Sequence, residues 1–185
     1  MAILFTADLH LGHVNILKFC ARPFDSISDM EYAIISNWNA VVTPEDEVWV
    51  LGDFAYRNQT PAAAYLSKLN GTKHLVTGNH DSIDTVRAKG WASVQPFAEI
   101  TVDNHPVTMC HYAMRLWPRM KKGGVNLFGH SHGRLPGYQT NKGGGQLDVG
   151  VDCWGFRPVS MTDIQRRLRT LPQMPGADHH YEGAD

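Results

Sequence analysis

Apolar residues in this chain gather into short runs, and five of those runs end in a residue that can bind a metal ion. Ile3-Leu4-Phe5-Thr6-Ala7 leads into Asp8-Leu9-His10, and Val48-Trp49-Val50-Leu51 leads into Gly52-Asp53. His74-Leu75-Val76-Thr77 precedes Gly78-Asn79-His80-Asp81, Val107-Thr108-Met109-Cys110 precedes His111, and Val125-Asn126-Leu127-Phe128 precedes Gly129-His130-Ser131-His132. Short apolar runs of this kind, bounded by turn residues, read as strands. Open α/β sheets build their sites from the carboxyl ends of strands. The pattern therefore predicts five strands that deliver nitrogen and oxygen donors to one place.

Helical patterning lies between the strands. Ser28-Asp29-Met30-Glu31 has the form of a capping box, and Met30, Ile34, Trp38 and Val41 follow at helical spacing. Thr60-Pro61 opens a second helix, with proline where a first turn tolerates it. A third is expected over 82–89, ending at Gly90, and Thr162-Asp163-Ile164-Gln165 caps a last one. From Ala92 the pattern turns to strands, with Asn104-His105-Pro106 as a turn between two of them. The order β-α-β-α-β-α followed by β predicts an α/β fold, two packed mixed sheets with helices outside. Residues 133–145 read as a loop leading into a strand over 146–151. One domain over residues 1–171 is expected, followed by a flexible tail over 172–185 that lacks periodicity.

Composition narrows the function classes. A length of 185 residues suits one domain with a real core. A net charge of -1 gives no general attraction to nucleic acid or membrane, so any such partner has to be argued locally. No apolar stretch is long enough to span a bilayer, and the N-terminus shows no leader pattern, so a cytoplasmic setting and no membrane partner are expected. Cys20, Cys110 and Cys153 have no metal spacing and read as buried, reduced thiols. Five of the ten histidines fall in the strand-end motifs.

Each motif has its own chemistry. In an extended segment, residues two apart point to one side, so Asp8 and His10 can share an ion, and so can His130 and His132. Asn79-His80-Asp81 is more specific, since an Asn ligand is unusual and a His-Asp neighbour pair suits an oriented acid. Taken singly, D-x-H and G-D occur often by chance. Five blocks in this order do not.

Those five blocks, Asp8/His10, Asp53, Asn79-His80-Asp81, His111 and His130/His132, strongly resemble the calcineurin-like metallophosphoesterases. The resemblance spans residues 8 to 132. The stretches 6–16, 22–24 and 149–158 look like a small subgroup of bacterial and phage members, from which Ala113 departs in a loop.

The resemblance implies the four-layer αββα sandwich of that family. It implies one metal ion held by Asp8, His10, Asp53 and His132, and a second held by Asp53, Asn79, His111 and His130. Asp53 would bridge, since each carboxylate oxygen can serve one ion. It further implies hydrolysis by in-line attack of a hydroxide bridging the ions, with His80 as general acid and Asp81 orienting it. A donor set of N and O without thiolate suits Mn²⁺, Fe, Zn²⁺ or Ni²⁺ better than Ca²⁺, and affinity order alone does not choose among them. Two such divalent transition ions are expected, with Mn²⁺ as the ion expected in the cell.

Substrate contacts are assigned to Arg22 and Arg115, whose guanidinium forks match phosphate. His13 and Asn15 follow the first motif, and Tyr56 and Arg57 follow Asp53 closely enough to line the cleft. The run 115–122 is basic and aromatic, which leaves a nucleic-acid end as an unfavoured partner. Nothing in the sequence reads as a large cap domain, so an open cleft for small phosphate esters, phosphodiesters first, is expected. Nucleases, nucleotide pyrophosphohydrolases and one interaction scaffold share the family. The scaffold lacks the catalytic histidine, and here His80 is present.

Overall fold

Alternation along β1 (Ile3–Thr6) decides the architecture. Leu4 joins Val48, Val50 and Leu75 in a core under the helices, whereas Phe5 and Ala7 join Trp49, Leu51 and Val76 in a second core. Successive strand residues point to opposite faces, so this sheet is covered on both sides. The computed structural model describes residues 1–56 and 60–174.

The first sheet has the order β10-β1-β2-β3-β4. Here β2 is Glu47–Val50, β3 is Thr72–Val76, β4 is Trp91–Gln95 and β10 is Val159–Ser160. All of its pairings are parallel except that of β10 with β1. Helices α1 (Ile16–Phe19), α2 (Ile27–Val41), α3 (Ala62–Leu66) and α4 (Ile83–Val86) belong to this half of the chain. The second sheet has the order β5-β6-β7-β9-β8, from β5 (Ala98–Val102), β6 (His105–Met109), β7 (Val125–Phe128), β8 (Tyr138–Gln139) and β9 (Gly145–Asp148). Its β6-β7-β9 centre is parallel and both edges are antiparallel. The two mixed sheets expected from the sequence are present.

Between them lies the core of Phe5, Trp49, Val76, Met109, Leu127 and Leu147. Helix α5 (Met161–Leu168) sends Met161, Ile164 and Leu168 into the same core. The far face of the second sheet is polar yet buried: Thr108, Asn126 and Gln146 stand in register across β6, β7 and β9. A chain segment rather than an α-helix meets it. Asn126 accepts from the Met114 N–H at 3.1 Å and from Gln146 at 2.9 Å, and Trp117 is buried with its indole donating to the Gly124 carbonyl.

Element boundaries depart from the sequence reading in several places; β9 ends at Asp148 rather than 151, and β8 lies inside the expected loop over 133–145. The cap of α2 is Ser26, whose hydroxyl accepts from the Asp29 N–H at 3.1 Å, and not Ser28. Ile27 packs on the helix-side core, so the helix starts a half-turn earlier than the apolar spacing suggested. The same logic moves the box of α5 to Ser160 and Asp163, because Met161 is already core. Helix α4 is shorter than expected, although Ser82 does cap it. Asp103 and Asn104, both at positive φ, form the two-residue hairpin turn, which places His105 and Pro106 in β6. In the expected tail, Pro172 and Met174 hydrogen-bond to Gln139 through their backbones, and residues 175–185, with His179 and His180, lie outside the described residues.

Candidate metal centre

The parallel strands β1, β2, β3, β6 and β7 all release their chain at one end of the sandwich, and there the backbone becomes unusual. Asp8, His10, Asp53, His130 and His132 all have φ between 48° and 65°. Five of the seven expected ligands thus occupy the left-handed region that non-glycine residues seldom visit. Such conformations cost about 1–3 kcal/mol each and persist where surrounding structure forces them. Here the forcing groups are visible. Asp8 N–H donates to Gly52 O, His10 N–H to Asp53 O, and the His130 N–H to the Asp8 carboxylate at 2.9 and 3.0 Å. Glycine permits the close approach: a side chain on Gly78 would meet the Asp53 carboxylate, and one on Gly52 would meet the His111 ring.

These turns gather two donor groups, Asp8 with His10 and His132, and Asp53 with His111 and His130, each with donor atoms within 4.8 Å of one another. Asp53 joins them. Its Oδ2 lies 3.5 Å from His10 Nε2 and 3.4 Å from His111 Nε2, one contact to each group. Its Oδ1 accepts the His80 N–H at 2.8 Å. Asn79 Oδ1 stands 3.1 Å from His111 Nε2, on the second group's side.

The ring orientations also suit a cation. His111 Nδ1 is 2.8 Å from the Leu51 carbonyl and therefore donates, which leaves Nε2 its lone pair when the ring is neutral. His132 Nδ1 is 2.7 Å from Asp152 Oδ2, with the same consequence. His10 Nε2 is buried and has no hydrogen-bond partner, although it points at the Asp53 carboxylate. A buried polar atom left unpaired is costly, and a cation between it, Asp8 and His132 would satisfy it. The residues present fit divalent ions.

Protonation in the protein alone carries the same strain. Burial pushes the Asp8 carboxyl up to about 7, against the opposing pull of His132 and His111. Burial takes His10 down to about 2 despite nearby Asp53. Burial would raise Asp53, but the hydrogen bond and charge of His111 prevail and hold it at about 2. Burial likewise opposes charge on His111, yet its hydrogen bond to Asp53 raises it to about 8.

Several sequence assignments change here. Arg22 is not free to grip a phosphate. It is buried, and its five N–H groups go to both Asp152 oxygens, the Asp8 and Leu9 carbonyls and Met30 sulfur. Asp81 does not orient the His80 ring. Its carboxylate accepts the backbone N–H groups of Asp53, Phe54 and Gly78 at 2.8–2.9 Å, and so ties the Asp53 turn to the Asn79-His80 turn. Burial raises its pKa while those bonds oppose the rise.

The His80 ring lies 5.3 Å from that of His10 and 4.8 Å from that of Tyr56. His13 is buried against the same group, its Nδ1 3.3 Å from His10 Nδ1 and its ring 4.4 Å from Tyr56. Asn15 is exposed at the start of α1, Arg115 is exposed beyond His111, and Arg57 lies outside the described residues. Trp117 of the basic run is inside the protein and offers no ring for stacking. The three cysteines are unpaired as expected, but Cys153 is exposed and the other two are only half-buried.

Three residues of the site escaped the sequence reading: Asp152, Asp148 and Tyr112. Asp148 accepts from Ser131, Gly133 and Gly150 and so holds the His130-His132 turn. The Tyr112 ring is 4.8 Å from His130, with its hydroxyl 3.4 Å from Asn79 Oδ1. Asp148 is the last residue of β9 and Asp152 lies in the turn just past it, where adjacent Gly and Val gave no periodic signal. Tyr112 could have been found as the neighbour of His111.

Residues 1–154 match the family of calcineurin-like phosphoesterases. The chain belongs to that family. An uncharacterized protein of Methanocaldococcus jannaschii is 29% identical over 170 residues, covering 90% of each chain. The gene 66 protein of Mycobacterium phage L5 is 24% identical, over 93% of this chain and 96% of the phage protein. Among solved structures, a protein of unknown function from Aquifex aeolicus superposes with a TM-score of 0.68 at 22% identity, over 90% of this chain and 98% of that one, and so shares the fold. Membership makes the chain a phosphoesterase by family, of a kind that typically uses two metal ions. No helix among the described residues is long and apolar enough to cross a membrane.

Proposed function

We propose that this calcineurin-like phosphoesterase hydrolyses small phosphate esters, phosphodiesters in preference, at a dinuclear metal centre. The observation that carries this reading is the place of Asp53 Oδ2, between His10 Nε2 and His111 Nε2 at 3.5 and 3.4 Å. Asp8, His10, Asp53 and His132 hold one ion, and Asp53, Asn79, His111 and His130 hold the other. The N and O donor set suits Mn²⁺, Fe, Zn²⁺ or Ni²⁺ without choosing among them, and Mn²⁺ is the resident ion of this proposal. When bound, such a pair lowers the pKa of a water between the ions and neutralises phosphoryl oxygens.

The remaining roles belong to the chain. The His80 backbone is anchored on Asp53, so its ring stays at the edge of the centre, where it can protonate the leaving oxygen. Asp81 keeps the two turns in register from behind. His13 and Tyr56 form a wall beside His80, and Tyr112 stands on the opposite side by His130. With Arg22 withdrawn into the protein, the walls that the described residues form are ring systems more than guanidinium groups. That suits a singly charged diester better than a doubly charged monoester. A cytoplasmic setting accords with three unpaired cysteines.

The test is one panel of substrates with Mn²⁺, Ni²⁺, Zn²⁺ or chelator: an aryl diester, an aryl monoester, a 2′,3′-cyclic nucleotide, a dinucleoside polyphosphate and an oligonucleotide. Metal-dependent turnover with the diester ahead of the monoester is expected. Absence of turnover with every metal would contradict the reading. A monoester far ahead would overturn the diester preference alone.

A further inference from the structure

Behind Asp8, His10 and His132 lies a buried guanidinium. Arg22 follows α1 at the start of the chain, and Asp152 sits in the short turn after β9, 130 residues away. Arg22 grips both oxygens of Asp152 at 2.8 Å each, and its side chain is wholly inaccessible. Such a fork-to-fork pair fixes direction as well as distance. Asp152 Oδ2 also accepts a hydrogen bond from His132 Nδ1–H at 2.7 Å. The remaining donors of Arg22 reach the Asp8 carbonyl at 2.7 Å and the Leu9 carbonyl at 3.0 Å. Those two carbonyls belong to the turn in which Asp8 and His10 adopt positive φ. One side chain thereby fixes the backbone under two ligands and, through Asp152, the ring of a third.

We infer that Arg22 and Asp152 are a positioning pair that sets the geometry and affinity of the Asp8-His10-His132 metal site, and of that site alone. The inference rests on the two-site reading above. The pair bonds directly to the first site only, because all five donors of Arg22 end on residues 8, 9, 30 and 152. The second site has a different support: the Leu51 carbonyl orients His111, and backbone bonds to Asp81 hold the Asp53 and Asn79 turns. Arg22 also explains why Cys20, His132 and Asp152, whose donors cluster within 4.8 Å, are not a third site. Both carboxylate oxygens of Asp152 already face a fixed positive charge.

The experiment uses the full chain with Mn²⁺ as probe, comparing wild type with Asp152→Asn and Arg22→Lys. Asp152→Asn keeps the shape and removes the charge, while Arg22→Lys keeps the charge and removes the fork. Calorimetry should show one of two sites weakened about 10–100-fold and the other unchanged. The electron paramagnetic resonance of a coupled Mn²⁺ pair should give way to that of an isolated ion, and excess Mn²⁺ should restore the coupled signal in Asp152→Asn. His132→Ala and His130→Ala serve as references: Asp152→Asn should resemble the first, and adding it to His132→Ala should change nothing further.

The retained second site reports that the variants fold. Equal loss at both sites, or unchanged affinity at both, would overturn the inference while leaving the dinuclear centre intact. A wild type that binds no Mn²⁺ would remove the centre itself, and the pair with it.

Discussion

His132 is oriented by a side chain, the Asp152 carboxylate at 2.7 Å, whereas His111 is oriented by a main-chain carbonyl, that of Leu51, at 2.8 Å. The contrast extends across the centre. The Asp8-His10-His132 half leans on a buried ion pair whose members come from distant parts of the chain. The Asp53-His111-His130 half leans on strand ends and on backbone bonds to Asp81. Support by a main-chain carbonyl comes with the fold and cannot be removed without unfolding the turn. Support by side chains can be changed one residue at a time, at Arg22 and Asp152 in the first half and at Asp81 in the second.

The largest effect should come from the residue that belongs to both halves. Asp53→Asn should bring turnover to background and cut metal content, measured by elemental analysis beside a diester assay. Full metal content with full turnover would dissolve the distinction between halves.

Next is His80→Ala, which should lower kcat about 10²–10⁴-fold with both ions still bound. Loss of metal as well would make His80 a ligand.

Asp81→Asn tests the backbone-supported half. It should weaken the Asn79-His111-His130 site and cost about 1–3 kcal/mol in thermal or urea unfolding, because buried N–H groups lose an acceptor. The pH profile of turnover should keep its shape, since Asp81 does not touch the His80 ring. A shifted alkaline limb, where loss of the general acid's proton is read, would restore the orienting role that adjacency in sequence suggested.

A smaller effect acts on both halves through pH. His111, raised to about 8, is protonated at neutral pH and must lose that proton to bind an ion, and Asp8, raised to about 7, is partly protonated too. Metal uptake near pH 7 should therefore release protons, and affinity should fall as pH drops from about 9 to about 6. Calorimetry in buffers of different ionisation enthalpy reads this directly, and a pH-independent affinity would contradict it.

The sequence was most legible where chemistry sits at strand ends. Apolar runs closing on Asp8, Asp53, Asn79, His111 and His130 located the sheets and the centre together, because each strand's direction places its last residues. Contacts across long sequence distances left no such trace. Arg22 looked like a phosphate ligand because an exposed and a buried arginine read alike until Asp152 is brought beside it. Asp81 was misplaced because neighbours in a tight turn point apart, and only the fold shows that its oxygens face Gly78, Asp53 and Phe54. The caps of α2 and α5 slipped by two residues because Ser-x-x-acid or Thr-x-x-Gln patterns overlap there, and burial of Ile27 and Met161 decided between them. The left-handed backbone at five of the expected ligands left only a faint signal in residue type, since Asp and His enter that region more often than most residues do.

Metal titration of the wild-type chain, followed by anomalous diffraction from crystals grown with Mn²⁺, tests the central claim most directly. Two ions about 3.5–4 Å apart, both contacting Asp53, are expected. A single ion, or two ions of which only one touches Asp53, would contradict it.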